Sequence, residues 1–127
     1  VISSHINNPD ISPYFFISLI WYPCFENLFS ILRKLNREFS PLKPDSKHLH
    51  QLVFFFFTKK FKLRLILSNN LSSAIICFFN FLIIYISTLN PGSTIFQIKL
   101  IATSIIFYNV SYIFLFKFYK LNLISKK

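Results

Sequence analysis

The feature that most restricts this chain is where its charge sits. Residues 12–32, 71–89 and 95–116 hold one Glu and one Lys between them, Glu26 and Lys99. About 20 apolar residues in a helix cross the roughly 30 Å hydrocarbon layer of a bilayer. In lipid every backbone N–H and C=O must be paired within the protein, which leaves helices or closed barrels. Three uninterrupted apolar stretches of this length fit helices. The predicted fold class is therefore all-α and integral to a membrane, with three transmembrane helices.

Composition agrees. Hydrophobic residues make up 54% of the 127 residues and charged residues 14%, against about 45–50% and about 25% in soluble domains. A small soluble domain could not hide eighteen Phe, because it buries only part of its surface. A net charge of +10 invites a nucleic-acid reading, but the distribution excludes it. Nine of the fourteen basic residues lie in residues 33–64 and four more in residues 117–127. Basic clusters at the ends of apolar spans are what orientation in a bilayer requires. Cys24 and Cys77 fall inside spans, with no spacing for a metal or disulfide framework, and read as small buried hydrophobes. The absence of Met and the start at Val1 suggest a piece of a longer chain. Low Met and Gly with abundant Phe, Ile, Asn and Lys suggest an AT-rich coding sequence.

The pattern along the chain orders the parts. Ser12-Pro13 opens the first span, Pro being harmless in a first helical turn. Pro23 within it predicts a kink or a protein-facing contact. Residues 33–68 form a basic loop in which Pro41 and Pro44 prevent a continuous helix. Within it Val53, Phe54, Phe57, Phe61 and Leu65 lie beside Lys59, Lys60, Lys62 and Arg64. The spacing of three or four from Phe54 onward, with Val53 alongside, predicts an amphipathic helix at the membrane interface; a peripheral strand is the alternative. Asn69-Asn70 marks a break before the second span. Asn90-Pro91-Gly92-Ser93 is a turn. Lys99 can snorkel to the interface, and residues 117–127 form a basic tail. The basic loop and tail should face the cytoplasm, and residues 1–11 and the Asn90 turn the other side. The predicted location is the inner (cytoplasmic) membrane, multi-pass.

Chemistry concentrates in the loop. His48 and His50 sit one residue apart among Arg37, Lys43, Asp45 and Lys47. In a regular helix they would point about 200° apart, whereas an irregular loop can bring them together. Imidazoles beside Lys and Arg make charge-assisted donors for a diphosphate. The plainer reading is a solvated basic loop beside anionic lipid. A metal site lacks the three protein ligands usual for catalytic zinc. Glu26 either faces a protein interior or lies near the headgroups.

The run Tyr22-Pro-Cys-Phe-Glu-Asn-Leu-Phe-Ser-Ile-Leu-Arg-Lys34, followed by Ser40-Pro-Leu-Lys-Pro-Asp-Ser-Lys-His-Leu-His-Gln51, resembles the C-terminal part of the polyprenyl-phosphate N-acetylhexosamine-1-phosphate transferases (glycosyltransferase family 4). Phospho-N-acetylmuramoyl-pentapeptide transferase is a relative. The resemblance covers residues 10–52; the later spans match in hydropathy and position only. It implies that this chain is the C-terminal part of a larger multi-span bundle. That enzyme would move a sugar-1-phosphate from a UDP-sugar to polyprenyl phosphate in cell-envelope polysaccharide synthesis. It implies substrate contacts at His48, His50, Gln51, Asp45, Arg37 and Lys47, with Gln51 standing where a further His is common. It implies Mg2+ held by acidic residues upstream, since Asp10, Glu26, Glu38 and Asp45 are scattered. No catalytic residue and no metal ligand is expected within the chain, which alone should be inactive. The expected partners are the two substrates and the bilayer, with a homodimer allowed and no nucleic acid. The alternatives are a small basic membrane protein that binds anionic lipid, or a piece of a transporter.

Overall fold

A computed structural model describes residues 10–35 and 47–124. Those residues form four helices, and no strand occurs among them: α1 (Pro13–Leu35), α2 (Leu49–Lys60), α3 (Leu65–Thr88) and α4 (Thr94–Ile124). α1, α3 and α4 are each long and apolar enough to cross a membrane. The protein is an all-α membrane protein with three spans and one shorter helix. Asp45 and Arg37, both expected at the site, lie outside the described residues, as do Lys43, Pro41 and Pro44.

Local chemistry sets the helix ends. Ser12 Oγ accepts the Tyr14 N–H at 3.3 Å, which caps α1 while Pro13 occupies its first position. Arg33 and Lys34 lie in its last turn, where cations offset the negative end of the helix dipole. Ser93 Oγ accepts the Phe96 N–H at 3.3 Å and caps α4 in the same way. Between α2 and α3, Lys62 takes a left-handed φ of 52°. A non-glycine residue rarely adopts that region, and it turns the chain sharply.

Several expectations change. α3 starts at Leu65 and passes straight through Asn69 and Asn70, so the predicted break there is absent. Both side chains are exposed in the helix's opening turns, where Asn costs only a few tenths of a kcal/mol (~0.7 at most) relative to Ala. α4 continues through the basic tail to Ile124. The short helix α2 is present, but its inner face is set by Leu49 and Leu52, with Val53 and Phe56 packed against the core. Phe61 lies beyond its end and is exposed, and Leu65 begins α3. Pro23 sits within the continuous helix α1 with its side chain exposed, so of the two expectations for it the protein-facing contact is not the one realised. Cys24 and Cys77 are also exposed. They lie on the outward faces of their spans and not in a protein core.

Burial runs inside out. Among the described residues the buried polar side chains, nine of them, outnumber the seven buried hydrophobic ones. Ser18, Ser68, Ser72, Ser87 and Ser104 lie inside, while Phe78, Phe81 and Ile66 remain more than 70% exposed. Lipid tails are as apolar as Leu, so burying large side chains between spans gains little; small residues let the helices approach closely. α1 and α2 each pack on both α3 and α4. Polar side chains on the spans mostly turn back to their own helix. Ser72, Ser104, Asn80 and Asn109 each donate to a carbonyl four residues earlier, at 2.7–2.8 Å, which satisfies them without water.

Candidate functional site

The site forms where α2 begins. Glu26 lies nine residues before the end of α1, about 14 Å inside it along the axis. Its carboxylate is buried, at 7% exposure, and every neighbour shown for it can donate. Oε1 accepts the Leu49 backbone N–H at 3.1 Å and lies 3.0 Å from His48 Nδ1. Oε2 accepts the Tyr108 hydroxyl at 2.7 Å. A carboxylate inside a span is expensive unless it is fully paired, and three donors from α2 and α4 pair this one. Of the two positions open to Glu26 from sequence, the structure places it in the protein interior. Because the partner N–H opens α2, the carboxylate also occupies the positive end of that helix's dipole. The start of α2 is thereby held inside the bundle and not on its surface.

His48 and His50 come together by virtue of that cap. His48 is the N-cap, with an extended backbone (φ −66°, ψ 153°), so the helical 200° divergence does not apply to the pair. Their rings lie nearly parallel, 5.8 Å between centroids and 12° between planes. His50 is exposed and lines an open groove of about 490 Å³ with Gln51, Phe54, Leu65, Ile66 and Asn69. Gln51 Oε1 accepts the His48 N–H at 3.3 Å, the reach-back half of a capping box. Gln51 therefore has a structural task, leaving its amide NH2 as the part that can face a ligand.

Arg33 anchors the entry to the site. Its Nη1 donates to the Lys47 carbonyl at 2.8 Å and to the Tyr112 hydroxyl. Its guanidinium lies 5.3 Å from the Tyr112 ring centroid and 5.8 Å from that of Phe29, within range of cation–π attraction. The Lys47 side chain borders a second cleft, of about 290 Å³, with Phe116, Tyr119 and Lys120. Of the predicted residues, His48, His50 and Gln51 share one site, and Lys47 joins it through its backbone.

Sequence reasoning missed Ser30, Arg33, Tyr108 and Tyr112 as members. Ser30 Oγ lies 3.2 Å from His48 Nδ1. Two spacings carried the signal. Glu26 and Ser30 are four apart on α1, as Tyr108 and Tyr112 are on α4, so each pair shares a helix face. The tyrosines stack on one another with ring planes 8° apart, and Phe25 and Phe29 meet Tyr108 edge-on at 5.0 and 5.5 Å.

The described residues do not fit a magnesium ion. No group of three His, Cys, Asp or Glu side chains gathers among them, and both oxygens of Glu26 are engaged. What the arrangement can do is present the His50 imidazole and the Gln51 amide to a groove, with His48 stacked on His50 and held from behind by a buried carboxyl group. No protein-family model, no curated protein and no solved structure gives a significant match to this chain.

Proposed function

We propose that the chain forms the last three spans of a membrane transferase that moves N-acetylhexosamine-1-phosphate from a UDP-sugar to polyprenyl phosphate. His48, His50 and Gln51 would act as donors to the diphosphate of the nucleotide sugar. One observation supports this above the others. The two separate stretches that carry the family resemblance, the span with Glu26 and the His48 motif, are hydrogen-bonded to each other. A loop that merely attracted anionic lipid would have no need of that pairing. On this reading the basic end of the bundle faces the cytoplasm, where nucleotide sugars are found, in the inner membrane. Magnesium would bind residues outside this chain and neutralise diphosphate charge. The residues here bind and orient.

A diphosphate spreads its negative charge over several oxygens and needs several positioned donors. Losing one such donor in a partly dry site costs about 10²–10³ in rate. The test is UMP release by membranes carrying the protein from its complete reading frame, given UDP-N-acetylhexosamine and polyprenyl phosphate. His48→Ala and His50→Ala should each cut turnover by about that factor at matched expression, Gln51→Ala by less, and Lys59→Ala and Lys60→Ala only slightly. Equal, modest losses from all five would instead favour a lipid-binding protein, in which each surface cation near the headgroups is worth about 1 kcal/mol. Topology has its own check. In a background with Cys24 and Cys77 replaced, Lys60→Cys should resist, and Ser93→Cys accept, a membrane-impermeant thiol reagent added to intact cells.

A further inference from the structure

We infer that Glu26 is the positioning residue of the histidine pair: it holds the proton of His48 on Nδ1 and leaves Nε2 as the ring's free lone pair. The inference rests on the transferase reading only for what Nε2 then does; the proton's position follows from the contacts themselves.

Glu26 Oε1 already accepts from a donor that cannot reverse its role, the backbone N–H of Leu49 at 3.1 Å. The second oxygen accepts from the Tyr108 hydroxyl. A carboxyl group whose two oxygens already accept from other donors has acceptor capacity left and no spare donor, so we assign Nδ1 as the donor in the 3.0 Å contact with His48. Ser30 Oγ, 3.2 Å from the same nitrogen, can accept as well and so reinforces this assignment. A neutral imidazole carries one proton, so Nε2 is then bare. Three elements enforce the arrangement at once: Glu26 and Ser30 from α1, the first turn of α2, and Tyr108 from α4. Tyr108 is 1% exposed and fixes the carboxylate from the side opposite the histidine.

The consequence is chemical. A buried carboxylate behind Nδ1 orients the ring, so Nε2 is the nitrogen left for the ligand, and it donates to a phosphate oxygen only in the doubly protonated ring. A buried carboxylate hydrogen-bonded to Nδ1 holds the imidazole of catalytic triads in one tautomer in the same way. His50 has no such partner among the hydrogen bonds described. The two histidines are therefore inequivalent: His48 is fixed in tautomer, and His50 is free to adapt to the ligand.

The experiment is ¹⁵N NMR of histidine-labelled protein in lipid nanodiscs, from the complete reading frame, with His48 assigned by its loss in His48→Gln. The native protein should show Nδ1 in the protonated, pyrrole-like range and Nε2 in the bare range. Glu26→Gln keeps an acceptor oxygen and should keep this tautomer. Glu26→Leu removes it and should give a mixture of tautomers together with at least a tenfold loss of UMP release, while Glu26→Gln retains more activity than Glu26→Leu. A bare Nδ1 in the native protein overturns the inference whether or not any variant folds, and so does an unchanged tautomer in folded Glu26→Leu. Native protein that releases no UMP removes the transferase reading, and the tautomer spectra then decide the positioning role alone.

Discussion

The two ends of the bundle are both held by buried polar groups, but of different kinds. At the turn end, Ser18 Oγ meets Ser87 Oγ at 2.5 Å, Ser87 donates to Gln97 Oε1 at 2.8 Å, and Gln97 Nε2 donates to the Ser87 and Asn90 carbonyls at 2.9 and 3.0 Å. Every member is neutral, and Ser18, Ser87 and Gln97 are completely buried. At the basic end, the centre is a carboxylate, its donors include a histidine, and the assembly opens onto a groove beside His50. A neutral, closed network joins three spans and has nothing left to offer a ligand. A charged one that reaches the surface costs more to maintain and can act on something. The difference sets one end apart as a clasp and the other as the candidate site.

The comparison can be broken most severely at Glu26. Glu26→Leu leaves the Leu49 N–H and the Tyr108 hydroxyl buried without a partner, each worth roughly 1–3 kcal/mol. Unfolding in mixed detergent micelles should show a loss of that size, and release of α2 should make Lys60 more susceptible to trypsin. Gln97→Leu should come next. It removes three neutral bonds that average about 0.6 kcal/mol each between membrane helices; unfolding should register a loss of one to two kcal/mol (~1–2), with UMP release per folded molecule unchanged. If Gln97→Leu instead lowered turnover as much as Glu26→Leu, the division into clasp and site would fail. Ser18→Ala removes one bond between helices and one to the Phe15 carbonyl of its own helix, and should cost about 0.6 kcal/mol for the interhelical bond by the same measurement. Phe78→Leu, on the outward face, should move stability by less than about 0.5 kcal/mol.

The spans could be read from sequence because the bilayer demands length and apolarity and little else. Their ends shifted where that demand stops applying. Nothing in lipid thickness requires a helix to end at Phe116, and α4 simply continues. Asn69 and Asn70 resembled a break, yet the chain's direction is set at Lys62 instead. The site was half legible. His48, His50 and Gln51 stood out because polar residues cluster there, but their supports are ordinary Ser, Tyr and Arg side chains on other spans. Joining Tyr108 to Glu26 requires knowing which faces of α1 and α4 meet, and no local pattern in either helix states that. The roles also shifted: Gln51 reads as a substrate donor by its place in the motif, whereas its oxygen caps α2.

Gly92 is the chain's single glycine. A Cβ there would lie 2.6 Å from the carbonyl oxygen of Asp10, closer than real atoms approach, and next to it the Ser12 N–H is bonded to the Pro91 carbonyl at 3.0 Å. The approach of two backbones leaves room for hydrogen and nothing more. Any side chain at position 92 would push the start of α1 off the turn that joins α3 to α4, so this one position sets how closely the first span can lie against the other two.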